Sequence, residues 1–339
     1  MNLDRLPHSV RAHGRAADVG TSVKHSVASR IVLLLLLCLT PAVFGAVEPQ
    51  RPRLTGVAHM ALFVSDIDKA RGFYRDFLGY QEPYDLKNAD GSLSMTFFKV
   101  NEDQYIEVFP GLKPEQDRLN HIAFATDDAA AFRTFLAARG VQVPASVSTV
   151  RIGNTSFNVK DPEGHTLEFT QYEPSSWTRR EAGKFLGDQR ISTRMLHVGI
   201  LVGDAPQATQ FYRDVLGLKE FWRGNSANSP FVSWINMRLP DSQDYVEYML
   251  YSDLPAPTER GSQHHICLEV PDIDKALARL EANPHRTSYT RPMEVRTGVN
   301  RRRQLNLFDP DGTRIELMES RTVDGQLPPS STLPLPRKR

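Results

Sequence analysis

The sequence contains two copies of one pattern, and the copies share polar side chains set in apolar strands. A segment that begins MALFVSDIDKARGFYRDFLG after His59 recurs as VGILVGDAPQATQFYRDVLG after His197. Later in each copy a histidine occurs in NHIAF and HHICL, and a glutamate occurs in DPEGHTLEF and DPDGTRIEL. Repetition at this scale indicates a duplicated structural unit. Packing alone would preserve the apolar positions, so the repeated polar residues indicate a duplicated site.

These polar residues recur in the same order and at nearly equal spacing. They are His59, Glu107, His121 and Glu168 in the first copy, and His197, Glu247, His265 and Glu316 in the second. Imidazole and carboxylate donors together suit a divalent cation such as Zn, Ni, Co, Mn or Fe(II). A lone histidine is more often a packed core residue than a ligand, but recurrence of the whole set favours a metal site. His264 aligns with Asn120, so we expect it to point away from the site.

Each copy subdivides into two smaller units. Related segments occur at VSDIDKA and VPDIDKA and, in corresponding places, at ATDDAAA and VGDAPQA. In all four, an alternating apolar strand leads into an aspartate that is placed to cap a helix, and three short β-like segments follow. The aspartates predicted to cap helices are Asp66, Asp127, Asp204 and Asp272. The pattern therefore predicts an α+β chain built from four βαβββ repeats.

The repeats divide the chain of 339 residues into modules at 54–172 and 194–320, with room for two cores. The segment 173–193 contains proline, serine and charged residues, and predicts a linker with about one helical turn. Residues 321–339 are rich in proline and serine without periodicity, which predicts a disordered tail. Since neighbouring elements tend to pair locally, we expect each module to close on its own rather than exchange halves.

The first 46 residues are predicted to be a signal peptide. The apolar run IVLLLLLCL follows Lys24 and Arg30, and small residues follow it through Ala46. Cleavage near Val47 would leave a secreted or periplasmic protein with no stable membrane span. An uncleaved run would anchor the chain, since its length is near the lower limit of about 17 residues for crossing a bilayer. Cys267 would be the one cysteine left after cleavage, which excludes an internal disulfide.

The net charge of the chain limits the classes of partner that we expect. The net charge is +1, and no domain-wide basic field exists to hold a phosphate backbone, so we do not expect nucleic-acid binding. We expect a small-molecule substrate and a monomer or homodimer.

The motifs resemble those of the vicinal oxygen chelate superfamily, which includes glyoxalase I, methylmalonyl-CoA epimerase, extradiol dioxygenases and bleomycin or fosfomycin resistance proteins. The resemblance is carried by the first-strand histidine, FYRD-x-LG, the HIAF and HICL strands and DP-x-G-x-x-x-E. It covers both modules and implies that each curls eight strands into a cupped sheet with a metal on its concave face. It does not select one reaction, because this fold carries many chemistries.

Three functional classes remain open. Glyoxalase- and epimerase-like members use four protein ligands, as this sequence offers. By that resemblance, Glu168 and Glu316 are the candidate bases of a lyase or isomerase that moves a proton beside a metal-bound carbonyl or enediolate. Extradiol dioxygenases use two histidines and one carboxylate, but they usually carry a tyrosine where Asn158 and Asn306 stand here. The third class is a binding protein that sequesters a small molecule, although such members often lack the histidines.

Two arginines recur before the last hairpin of each module. Arg151 in VRIGN and Arg296 in VRTGV either pair at the surface or bind a carboxylate or phosphate group of the substrate, and we take them as candidate substrate-binding residues. Export would disfavour glutathione adducts and CoA thioesters as substrates, because both are cytoplasmic compounds.

Overall fold

The computed structural model describes residues 49–337, so the predicted signal peptide and its cleavage site lie outside the described residues. The strands of the first module are β1 Leu54–Val64, β2 Asp85–Lys87, β3 Leu93–Lys99, β4 Tyr105–Pro110, β5 Leu119–Thr126, β6 Ser148–Thr149, β7 Thr155–Lys160 and β8 Thr166–Gln171. Those of the second are β9 Met195–Val202, β10 Lys219–Gly224, β11 Trp234–Arg238, β12 Tyr245–Leu250, β13 His265–Glu269, β14 Val295–Thr297, β15 Arg302–Phe308 and β16 Arg314–Thr322.

The strands form two eight-stranded sheets with the same topology. Their orders are β2-β3-β4-β1-β5-β8-β7-β6 and β10-β11-β12-β9-β13-β16-β15-β14. Within the first sheet, β1 pairs parallel to β4 and antiparallel to β5, which in turn pairs parallel to β8. The two predicted cupped modules of an α+β fold are thereby confirmed. None of the sixteen strands of residues 49–337 crosses from one sheet to the other, so each module is closed on its own.

Short helices connect the strands. They are α1 Ile67–Arg71, α2 Ala129–Ala138, α3 Trp177–Arg180, α4 Ala205–Thr209 and α5 Ile273–Glu281, with 3₁₀ turns at Pro257–Ser262 and Arg286–Ser288. The FYRD motifs continue α1 and α4 as π-helical turns, Gly72–Phe77 and Gln210–Val215. Among the described residues no helix has the length and apolarity needed to cross a membrane.

Three of the four predicted helix caps are confirmed. The side chains of Asp66, Asp204 and Asp272 each accept a hydrogen bond from a backbone N–H group of the first helical turn. The prediction for Asp127 was wrong by one residue: Asp128 caps α2. Asp127 instead accepts a hydrogen bond from the backbone of Arg53, so its carboxylate is engaged by the chain that enters β1.

The FYRD tyrosines join the two modules through reciprocal contacts. The Tyr74 hydroxyl donates to Asp309 Oδ2 at 2.9 Å, and the Tyr212 hydroxyl donates to Asp161 Oδ2 at 3.0 Å. Beside them a single hydrophobic cluster contains side chains from both modules. The structure therefore differs from the expectation of two cores, because an aromatic residue of each module packs into the other.

The segments outside the sheets are bonded to them. In the connecting segment, the carbonyls of Glu181 and Lys184 accept hydrogen bonds from the buried Lys99 ammonium. The tail differs from the expected disorder: the N–H of Ser331 donates to the Arg223 carbonyl, and the Pro334 carbonyl accepts from Val232. A proline-rich segment without periodicity can still pair along a sheet edge, because its carbonyls remain free to accept.

Candidate metal centres

The eight predicted ligand residues lie on the four central strands of each sheet. In order β4, β1, β5 and β8 they are Glu107, His59, His121 and Glu168; in order β12, β9, β13 and β16 they are Glu247, His197, His265 and Glu316. Because side chains on a strand alternate between its two faces, the register of neighbouring strands decides which of them converge. Here all four of each set point to the same concave face, where they meet.

In the first module the four side chains form one tight cluster. The Nε2 atoms of His59 and His121 are 2.9 Å apart. Oε2 of Glu107 and Oε2 of Glu168 lie 3.2 and 3.1 Å from the His121 nitrogen. All four groups are largely buried, with side-chain exposures between 7% and 13%. This is the set predicted for a module that closes on its own.

The second module repeats the cluster with looser spacing. The Nε2 atoms of His197 and His265 are 3.0 Å apart. Glu316 Oε2 lies 3.4 Å from His197 and Glu247 Oε2 lies 3.4 Å from His265, whereas Glu247 is 3.9 Å from His197. Cys267 also approaches this cluster, where the first module has Ala123 in the matching register. The donor atoms are thus assembled in both modules.

The donor atoms fit a divalent ion. At a metal–donor distance of about 2.1 Å, donors at a right angle lie about 3.0 Å apart, and tetrahedral donors about 3.4 Å apart. The two nitrogen pairs match the first value. Oε2 of Glu107, which faces the first cluster, is also buried without a directed hydrogen bond from the described residues. Such orphaned buried atoms are costly unless another group satisfies them.

Electrostatics favour a cation in the first cluster. Burial lowers the pKa of His121, but hydrogen bonds with Glu107 and Glu168 outweigh it and raise the pKa to about 10. Burial raises the pKa of Glu168, but His121 and His59 together hold it well below its usual range. The Asn120 amide oxygen lies 3.0 Å from Nδ1 of His121 and can accept its proton, which leaves Nε2 facing the cluster.

In the second cluster a nearby arginine changes the electrostatic environment of a histidine. Arg314 lies directly beside His265 on the neighbouring strand, with its NH2 group 2.7 Å from Nδ1. Burial and the Arg314 charge both lower the pKa of His265. Burial raises the pKa of Glu316, but its hydrogen bond with His197 outweighs this and lowers the pKa to about 2.

Sequence reasoning missed Arg314. The signal was present, since Arg314 stands two residues before Glu316, where the first module has Thr166 before Glu168. A second missed residue is Gly199, which pairs with His265, whereas Ala61 pairs with His121. A Cβ atom at Gly199 would overlap the His265 imidazole, so the ring occupies space that only glycine leaves free.

The two concave faces differ in what lines them. In the first module an aromatic cluster that includes Tyr84, Phe97 and Tyr105 packs beside the ligand strands, and Trp177 from the connecting segment packs edge-on against Tyr84 at 5.3 Å. The backbone N–H of Trp177 also donates to the carbonyl of Ile152. In the second module a cavity of about 230 Å³ reaches Glu247 and Glu316 and is walled by Trp222 and Trp234.

The other candidate residues lie in different places. Arg296 lines the cavity of the second module, with its nearest carboxylate, Glu294, 3.6 Å away. The Arg151 guanidinium is exposed and bonds to the carbonyl of Lys87 instead. His264 is buried away from its cluster, 3.3 Å from Asp117, as expected for a neighbour that points the other way.

Comparison with known proteins gives a family match over both modules. Residues 56–169 and 194–317 match the family described as Glyoxalase/Bleomycin resistance protein/Dioxygenase superfamily. A probable lactoylglutathione lyase from Vibrio parahaemolyticus is 29% identical over 128 residues, which are 35% of this chain and 93% of that protein. The mitochondrial methylmalonyl-CoA epimerase of Mus musculus is 28% identical over 138 residues, 38% of this chain and 73% of that protein.

Solved structures share the arrangement of both modules. A Mn(II)-bound glyoxalase from Novosphingobium aromaticivorans superposes with a TM-score of 0.60 at 17% identity, covering 79% of this chain and 83% of that one. An extradiol ring-cleaving dioxygenase from B. fuscum superposes with a TM-score of 0.58 at 18% identity, covering 86% and 77%. At these identities the likeness concerns the fold alone.

Proposed function

Because the chain belongs to the Glyoxalase/Bleomycin resistance protein/Dioxygenase superfamily, we propose that it is a divalent-metal-dependent enzyme that moves a proton on a small carbonyl or enediolate compound, as a lyase or isomerase does. One observation carries the proposal: two imidazole nitrogens and two carboxylates from four adjacent strands converge in each module. A four-residue ligand set is the pattern of the glyoxalase- and epimerase-like members that the chain resembles.

The residues that would hold the ions are the two clusters. His59, Glu107, His121 and Glu168 would bind one ion, and His197, Glu247, His265 and Glu316 the other. When bound, a divalent ion polarises carbonyl oxygens and stabilises the negative charge of an enediolate. Zn, Ni, Co, Mn and Fe(II) would all suit these nitrogen and oxygen donors. One structural relative is a Mn(II)-bound glyoxalase.

The proton-moving group proposed for the second module is the Glu316 carboxylate. It borders the cavity, and its lowered pKa keeps it ionised at neutral pH, so an oxygen can take a proton from a carbon beside the carbonyl. Arg296 at the rim would hold an anionic group of the substrate. Glu168 has the matching position in the first module, but Thr166 stands there in place of Arg314, and Arg151 bonds to the Lys87 carbonyl. Because the second module combines its glutamate with a cavity lined by two arginines, we assign turnover to the second module.

The leader supports an exported protein, which we propose is secreted or periplasmic, or membrane-anchored if the leader is retained. In either place the substrate would be a small compound other than a glutathione adduct or a CoA thioester. A cavity of about 230 Å³ agrees with this, because drug-sized ligands occupy about 300–1,000 Å³. A monomer or homodimer remains the prediction for the assembly.

Metal content and proton exchange test the proposal together. Purified protein should contain one to two divalent ions per chain by elemental analysis. In D₂O it should exchange deuterium into C2 of glyceraldehyde, and chelation should abolish the exchange until Mn²⁺ is restored. Protein that takes up no metal after supplementation would favour a sequestering binding protein. Cleavage of catechol with Fe(II) and O₂, without proton exchange, would favour the extradiol class instead.

A further inference from the structure

The cavity of the second module combines features that select one kind of ligand. Its lining includes two indole rings, two guanidinium groups and the carboxylates of Glu247 and Glu316. The guanidinium groups belong to Arg296 and Arg314. A single small ring fits the volume of about 230 Å³, and the tryptophans offer flat apolar walls to such a ring.

Trp222 is held rigidly in this wall. Its indole Nε1 donates to the carbonyl of Pro328 in the tail at 3.2 Å, and the residue is 3% exposed. The ring also lies over Gly224, where any Cβ atom would overlap it. A wall fixed from two sides costs little conformational entropy when a ligand binds against it.

The charge of the cavity favours an anion. Glu294 lies 3.6 Å from Arg296 and balances its charge, so Arg314 is the added cation beside Glu247 and Glu316, and a divalent ion held by the proposed ligands would leave a net charge of +1. In the first module Thr166 stands in place of Arg314, and the exposed Arg151 guanidinium bonds to the Lys87 carbonyl, so the same ion would leave the cluster without this extra charge. The selectivity for a negative ligand therefore belongs to the second module.

Arg314 is the better placed of the two arginines. Its NH2 group contacts His265, and its Nε, which is buried, has no hydrogen-bond partner among the described residues. The Oδ1 atom of Asn306, which lines the same cavity, is also buried without a partner. Buried polar atoms without partners mark a place where a ligand can supply the missing hydrogen bonds. A guanidinium with a free N–H edge suits a planar carboxylate.

We infer that the second module binds a small planar carboxylate, with its ring between Trp222 and Trp234 and its carboxylate on Arg314, and that Arg314 determines this specificity. The inference rests on the proposed function for the position of the metal centre, and it names the substrate class of that site. Arg296 at the rim assists by attracting the anion, but its exposed guanidinium is screened by solvent.

Benzoate and benzamide test this inference, because they have nearly the same shape and differ in charge. The chain has three tryptophans, Trp177, Trp222 and Trp234, so the indole N–H signals of the metal-loaded full chain report separately on the two cups. Benzoate should shift the signals of Trp222 and Trp234 but not that of Trp177, and should bind at least about 10-fold more tightly than benzamide.

Arg314→Met should reduce that preference to less than about 3-fold, while Arg213→Met, the same change at an exposed arginine of the second module outside the cavity, should leave it unchanged. Equal binding of the two compounds to the unmodified chain would overturn the inference without any variant. Retention of the preference in Arg314→Met would overturn the role of Arg314. Metal content is measured on the same samples: a chain without metal contradicts the proposed function, whereas a metal-loaded chain without the preference contradicts this inference alone.

Discussion

The two modules carry the same ligand residues in the same register, yet their concave faces differ in lining and in charge. The first cup is lined by aromatic side chains, with Trp177 packed against Tyr84, and its cluster is tight. The second cup keeps a cavity that reaches its glutamates, and Arg314 stands beside its second histidine. The difference teaches that a duplicated ligand set does not imply a duplicated active site. The space beside the ligand residues and the charged groups around them decide what each site can do.

The largest expected effect separates the two candidate bases. Glu316→Gln should lower proton exchange more than about 100-fold, because a positioned base contributes about 10²- to 10⁴-fold. The same change in the first module, Glu168→Gln, should lower it less than about 3-fold, because that module lacks the cavity arginines. Exchange rates in D₂O at saturating metal measure both. Equal losses in the two variants would show that the modules are equivalent.

The next effect concerns the space occupied by the second histidine of each cluster. Gly199→Ala should displace the His265 ring and lower the metal content by up to one equivalent, because the new Cβ atom overlaps the imidazole. Ala61→Gly, the reverse exchange in the first module, should leave the metal content unchanged. Elemental analysis of both variants checks this pair. Full metal content in Gly199→Ala would contradict the importance of the ring position.

A further comparison concerns Asp309, the acceptor in one of the two reciprocal hydrogen bonds between the modules. Burial outweighs the hydrogen bonds from Thr313 and Tyr74 and raises the pKa of Asp309 to about 6. Because the pKa of Asp309 is higher in the folded chain, its protonation stabilises the fold. This stabilisation is full below the unfolded-state pKa near 4 and is lost as the pH rises through the folded-state pKa of about 6. A shift of about two units corresponds to a cost of up to about 3 kcal/mol above pH 6.

Asp309→Asn removes this charge and keeps an acceptor for the Thr313 amide. The variant should therefore gain stability relative to the unmodified chain as the pH rises. Its free energy of unfolding minus that of the unmodified chain should be larger at pH 8 than at pH 5. Urea unfolding at the two pH values measures the difference. A relative stability that does not change with pH would show that the Asp309 carboxyl is not perturbed by folding.

The smallest expected effect tests whether Trp177 limits access to the first cluster. Trp177→Ala should lower the free energy of unfolding by about 2 kcal/mol, below the range of about 3–5 kcal/mol for a fully buried tryptophan, because Trp177 is half-buried. Metal should then exchange faster from the first cluster. Trp234→Ala in the second module is the control and should leave metal exchange from the first cluster unchanged. Unchanged metal exchange in Trp177→Ala would mean that Trp177 does not limit access.

Much of the architecture could be predicted because it depends on the order of apolar and polar residues over short stretches of sequence. Alternating apolar residues predicted strands such as β1, and an aspartate after the strand predicted a helix start at Asp66. The choice between Asp127 and Asp128 failed because either can cap, and only the contact of Asp127 with Arg53 decides.

The sequence by itself determined the repeat, the two modules and the eight residues that converge, because these follow from short-range pattern and from duplication. Only the tertiary structure decided that Trp177 packs against Tyr84, that Arg314 contacts His265, and that the tail bonds to Arg223 of β10. These features depend on side chains from distant segments that meet once the sheets curl. No local pattern encodes such a meeting, because the free energy of each contact depends on where the rest of the chain already lies.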